Sequence, residues 1–189
     1  IIRDSKILFV AGTNLLPAFD GVPCSRVLKK AKEMGVYTVM DTAWDTSGRW
    51  MEIVEPSLEY LDLFIPSYDE ARMIAGKDEV EDIADVFLSK GVKLAVIKTG
   101  KDGCFIKSSS GEKYTIPTYT DIKAVDATGA GDSFAAGFIA GLVKGWDLYK
   151  CGKFANAVGT HCVMEVGAST GIKSMEEILK FMEKYEGVK

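Results

Sequence analysis

The chain has 189 residues, 47% of them hydrophobic and 26% charged, which is enough to bury a core and too apolar for a disordered or fibrous protein. Its formal net charge of −4 argues against nucleic acid or an anionic membrane surface as the main partner. Four cysteines (Cys24, Cys104, Cys151, Cys162) without a C-x-x-C pair suggest neither a zinc site nor a disulfide framework, and the lack of a membrane-length apolar run or a signal peptide makes the cytoplasm the expected compartment.

Taken in order, the segments alternate between strand-like and helix-like. Ile7 to Ala11 is an apolar run that ends at Gly12 and suits a buried parallel strand. From Pro23, apolar residues at Cys24, Val27, Leu28, Ala31 and Met34 have helical spacing, with Gly35 as the stop. Val36 to Met40, ending in Asp41, reads as a second strand, and Leu63 to Ile65, before Pro66, as a third. Asp78 and Glu81 are spaced as a capping pair for a helix with an apolar face of Val80, Ile83, Ala84, Phe87 and Leu88, closed by Gly91. Leu94 to Ile97 follows as another strand. This repetition predicts an α/β domain spanning residues 1–189, with a mainly parallel sheet and helices on both faces.

At Cys104 the rhythm changes. Cys104-Phe105-Ile106 and Tyr114-Thr115-Ile116 are β-prone runs on either side of Ser108-Ser109-Ser110-Gly111, an antiparallel hairpin at the sheet edge. A nearly all-apolar helix is expected from Ala130 to Val143, with Gly137 and Gly141 allowing a close neighbour. Leu148, Cys151, Ala155, Val158, Cys162 and Val166 share one face of the next helix, which ends at Gly167. A last helix starts at Ser174, with Glu177 completing a capping box and Met175, Ile178, Leu179 and Met182 turned inward.

The stretch with a chemical demand is Asp126-Ala127-Thr128-Gly129-Ala130-Gly131-Asp132. A glycine turn that feeds a helix N-terminus aims unpaired N–H groups and the positive end of the helix dipole at one point, where an anion belongs. It is not the dinucleotide fingerprint, because Phe134 stands where G-x-G-x-x-G needs its last glycine, nor a P-loop, because no lysine follows Gly131. Taken singly, Asp126 reads as a turn cap and Asp132 as a dipole complement. Two aspartates bracketing Thr-Gly-Ala-Gly at the head of an apolar helix are harder to explain that way.

Asp126-Ala-Thr-Gly-Ala-Gly-Asp132-Ser-Phe-Ala-Ala-Gly137-Phe resembles the C-terminal signature of the ribokinase-like (PfkB) carbohydrate kinases, D-[TS]-x-G-A-G-D-x-[FW]. Asp69-Glu70-Ala71 is similar to the family's N-x-x-E segment, Lys98-Thr99-Gly100-Lys101-Asp102-Gly103 to its nucleotide-side turn, and Phe154-Ala155-Asn156-Ala157 through Gly167-Ala168 to its adenine and cation wall. The resemblance runs from about Ile7 onward and implies a three-layer α/β/α ribokinase-like fold. Family members are longer at the N-terminus, and the chain opens Ile1-Ile2-Arg3 without methionine. It is therefore expected to be an N-terminally incomplete piece, lacking the sugar-binding segment and the lid through which members often form homodimers.

The resemblance also implies roles. ATP would donate its γ-phosphoryl group to a carbohydrate hydroxyl, with Asp132 as general base and the amides of Gly129, Ala130 and Gly131 as anion hole. Glu70 would act on Mg2+ through water, and Ser67 stands where an asparagine is expected, a shorter group that reaches less far. Asp126 and the Thr128 carbonyl would hold a monovalent cation such as K+. Lys98, Thr99, Gly100 and Gly103 would border the nucleotide, and Asn156 the adenine. A nucleoside kinase of the same fold and a non-catalytic nucleotide-binding fragment are the alternatives. The fold's vitamin kinases fit less well, since they usually carry cysteine where Asp132 stands. His161 reads as a plain helix-face residue, and Trp44, Trp50, Tyr60 and Phe64 as core or rim packing.

Overall fold

The first apolar run becomes β1 (Ile7–Thr13), and the helical stripe after Gly21 becomes α1 (Val22–Glu33) with Cys24, Leu28 and Ala31 buried. They belong to a computed structural model that describes residues 1–186. There follow β2 (Tyr37–Thr42), α2 (Met51–Leu58), β3 (Leu63–Phe64), α3 (Tyr68–Ala75), α4 (Val80–Ser89), β4 (Leu94–Lys98), β5 (Cys104–Ser108), β6 (Lys113–Ile116), α5 (Ala130–Val143), α6 (Leu148–Val163) and α7 (Met175–Glu186). The six strands form one sheet in the order β1-β2-β3-β4-β5-β6. The first four are parallel, with Phe9 opposite Val39, Met40 opposite Phe64 and Phe64 opposite Ala95; β5 and β6 make the antiparallel hairpin. Among the described residues no helix is long and apolar enough to cross a membrane.

The chain divides into two compact units, residues 1–98 with 105–113, and residues 99–104 with 114–189. The first has a core of Leu28, Met40, Val54, Leu58, Phe64, Ile83, Phe87 and Ile97, with Phe64 and Phe87 edge to face at 4.8 Å. Strands β2, β3 and β4 are buried along nearly their whole length, as a parallel sheet requires. In the second unit α5 lies against α6 at its glycines: a Cβ on Gly137 would stand 3.1 Å from Ala155 Cα, and one on Gly141 2.8 Å from Cys151 Sγ. Removing the side chain there lets two helix backbones approach. Tyr119, Phe154, Val158, Ile178 and Met182 belong to an apolar cluster of this unit, with Ala140 of α5 packed against it.

Two local expectations are corrected. Asp78 and Glu81 do not cap α4, whose N-cap is Glu79 without a side-chain bond. Asp78 pairs instead with Arg72 at 2.7 Å, and Glu81 with Lys107 and Lys113, both at 3.0 Å. The capping box sits one helix earlier, at Ser67 and Glu70 of α3. The box at Ser174 and Glu177 forms as expected, with Ser174 N–H donating to Glu177 Oε2 at 3.1 Å. The helix expected to run to Gly167 stops at Val163, and the chain then loops through 164–174.

Candidate active site

In the first unit, polar side chains gather where β2, β3 and β4 end. Asp41, on β2, is 3% exposed. Its Oδ2 lies 2.5 Å from Lys98 Nζ at the end of β4, and its Oδ1 accepts the Thr42 N–H at 2.8 Å. Burial pushes the Asp41 carboxyl up to about 6, against the pull of the Lys98 charge. Thr42 Oγ1 donates to Glu70 Oε2 at 3.0 Å, and the Ser67 N–H donates to the same oxygen at 3.1 Å. One oxygen of Glu70 thus closes the start of α3. The other, Oε1, has no partner among the described residues, which suits a hard cation held through water.

Close by in the chain, Asp45 organises the loop after β2. Its Oδ1 accepts from Ser47 N–H and Oγ, and its Oδ2 from Trp50 N–H at 2.7 Å. Burial opposes ionisation of this carboxyl, yet those hydrogen bonds hold it below the ordinary aspartate value. They also hold Trp50 at φ 37°, a conformation rare outside glycine. Trp50 is buried and Trp44, edge to face with it at 4.8 Å, is half exposed; Phe64 is core.

The second unit carries the glycine turn. Gly129 is the N-cap of α5 at φ 76°, left-handed as glycine permits. A Cβ there would stand 2.7 Å from Ala168 Cα, so the turn is pressed against the 164–174 loop. Ala130 N–H donates to Ala127 O at 3.2 Å, whereas the N–H groups of Gly131 and Asp132 have no acceptor among the described residues. Asp132, in the first turn of α5, is exposed, and its carboxylate has no partner among the described residues.

Asp126 ties the turn to the following loop. Its Oδ1 accepts the Thr128 N–H and its Oδ2 the Gly167 N–H, both at 2.9 Å. These two bonds keep its carboxyl below the ordinary aspartate value. The carbonyls of Thr128 and Ala168 both face the thiol of Cys162, at 3.4 and 3.3 Å. Carboxylate and carbonyls alike are met by donors of the protein.

The turn at 99–103 closes through Thr99 N–H to Gly103 O at 2.9 Å and Gly103 N–H to Gly100 O at 3.1 Å. Gly103, at φ 101°, lies so close to the chain after β6 that a Cβ would stand 2.7 Å from Thr118 N. Asn156 is 4% exposed and gives its amide hydrogens to Ile116 O and Pro117 O, at 3.1 and 3.2 Å. Its side chain therefore holds that same segment. His161 bonds Ala157 O through Nδ1 at 3.0 Å and packs on Phe181, a helix-face residue as expected. Sequence reasoning missed Asp41 as the partner of Lys98 and Cys162 as the partner of the turn. Asp41 had a signal, an acidic residue at a strand's carboxyl end; Cys162 resembles any apolar helix position.

Comparison with known proteins gives a consistent picture. The model of the pfkB family carbohydrate kinases matches residues 1–175. An ATP-dependent 6-phosphofructokinase of Thermoanaerobacterium thermosaccharolyticum is 35% identical over 71% of this chain and 41% of its own length. A 5-dehydro-2-deoxygluconokinase of Clostridium perfringens is 28% identical over 97% of this chain and 56% of its own length. The chain thus spans about half the length of these curated relatives. Among solved structures, a protein described as ribokinase II from E. coli, in complex with ATP and Mg2+, superposes with a TM-score of 0.85 at 26% identity, over 97% of this chain and 60% of that one.

Proposed function

The chain belongs to the pfkB family of carbohydrate kinases, and from that premise we propose that it serves the transfer of the ATP γ-phosphoryl group to a sugar hydroxyl. The observation that carries this reading is the head of α5. An exposed carboxylate without a protein partner stands beside first-turn N–H groups that also lack one, which offers a base and an anion hole at one place. The two units are taken as parts of one kinase domain, a reading supported by the single family match across both.

In phosphoryl transfer the protein's work is alignment and charge stabilisation. Asp132 accepts the proton of the attacking hydroxyl. This proton leaves late, as the oxygen bonds to phosphorus and becomes acidic, so a weak base suffices. The N–H groups of Gly129 and Gly131 face the transferring oxygens. Ala130 joins them on giving up its long bond to Ala127. Lys98, Thr99, Gly100 and Gly103 border the nucleotide, and Asn156 shapes the adenine side by holding the 116–117 segment in place. Glu70, through its free oxygen, would help to hold Mg2+ by way of water, and that ion would supply neutralisation of phosphate charge.

The acceptor is sought among the chemistries of the relatives: fructose 6-phosphate, dehydrodeoxygluconates, pentoses and nucleosides. ATP consumption by the full-length protein is measured on this panel, beside an Asp132→Asn variant. At least one acceptor is expected to be turned over. The substitution should then cut turnover at least about a hundredfold while ATP binding persists. Undiminished turnover by Asp132→Asn would remove the base assignment.

A further inference from the structure

Cys162 is fully buried near the end of α6, and its Sγ lies 3.4 Å from Thr128 O and 3.3 Å from Ala168 O. These carbonyls belong to the two stretches of chain that meet at the glycine turn: Thr128 precedes Gly129, and Ala168 is the residue against which Gly129 packs without room for a Cβ. Asp126 joins the same stretches with its carboxylate, through Thr128 N–H and Gly167 N–H. Val163 O completes the seam by accepting from Val125 N–H at 2.7 Å.

A bare monovalent ion at this seam would draw carboxylate and carbonyl oxygens toward one positive centre. Here the positive ends are hydrogens of the protein itself: two amide hydrogens for the carboxylate, and one thiol hydrogen shared between the two carbonyls. Removing the sulfur would take from the Thr128 and Ala168 carbonyls the one donor that bridges them, leaving Asp126 and the packing of Gly129 on Ala168 to tie the turn to the 164–174 loop. We propose that Cys162 is a positioning residue, whose thiol fixes the glycine turn in the place a monovalent cation would otherwise hold it, so that the turn is ordered without K+. This goes beyond the kinase reading and does not need it, because the claim concerns the order of residues 126–134 in the absence of substrate.

The test is hydrogen–deuterium exchange of peptides covering residues 126–134, with thermal unfolding alongside. Both are measured on the full-length protein in KCl and in choline chloride at matched ionic strength. The wild-type protein should exchange at the same rate, and unfold at the same temperature, in the two salts. Cys162→Ala should speed exchange in this segment about tenfold with little change in α7, and Cys162→Ser, which keeps a donor, should recover most of the protection. Faster exchange spread over the whole chain, or no rescue by serine, would reduce Cys162 to a packing residue and overturn the proposal. So would K+-dependent protection in the wild type. None of these readouts needs turnover, so failure here is distinct from failure to find an acceptor.

Discussion

Asp41 shows how one residue can carry opposing demands. Its carboxyl is nearly out of water, yet it has a lysine ammonium on one oxygen and a backbone amide on the other. Burial outweighs both and raises it from 3.8 to about 6. A group raised in the folded state binds its proton more tightly there than in the unfolded chain. The stability it gives is therefore full below about pH 4 and is lost as pH rises through 6, at no more than about 1.4 kcal/mol per pH unit for one proton. Asp41→Asn cannot ionise and should lack this slope. In urea unfolding at a series of pH values, the wild type should lose stability relative to Asp41→Asn between pH 4 and 6. Parallel curves over that range would show that the Lys98 pairing, rather than burial, governs the carboxyl.

At the scale of elements, the start of α3 joins folding and function. Glu70 Oε2 accepts the Ser67 N–H, while the Ser67 side chain accepts the Glu70 N–H at 3.4 Å. Ser67→Ala should cost about 0.5–1 kcal/mol in chemical denaturation, and Ser67→Asn close to nothing, because asparagine is an equally good N-cap. A loss with Asn as large as with Ala would mean that Thr42, and not the cap, holds Glu70. The elements that were legible in sequence are those with a long apolar period: α1, α5, α7 and the buried parallel strands. Two helices were not. In α2 a proline sits inside the helix at Pro56, and α3 has only eight residues, with Ala71 and Ile74 as its buried apolar pair. Spacing suggests Asp78 with Glu81 as a capping pair, but tertiary ion pairs to Arg72, Lys107 and Lys113 engage these two residues, and the box forms at Ser67 and Glu70. The glycine turn was legible because positive φ and close approach demand glycine. The Asp41–Lys98 and Cys162 contacts bridge 57 positions and up to 34 positions of sequence, and no local pattern encodes them.

For the whole molecule, the four cysteines offer a common gauge. All are free and buried, with one in the first unit (Cys24) and three in the second (Cys104, Cys151, Cys162). Burial pushes the thiols of Cys24 and Cys151 up to about 11 and that of Cys104 to about 12. Reaction with a disulfide reagent needs both access and thiolate, and the fold withholds access from all of them. Ellman's reagent at neutral pH should therefore find no fast-reacting thiol in the native protein and all four after denaturation in guanidinium. Any slow native reaction must pass through opening, so its rate reports opening free energy. Mg·ATP, if it binds the folded state alone, should slow that reaction by mass action, about a hundredfold at a ligand concentration 100 times its Kd. A fast phase that Cys24→Ala removes would locate an exposed thiol in the first unit, and one that survives that substitution would locate exposure in the second. Either would contradict the burial of these residues.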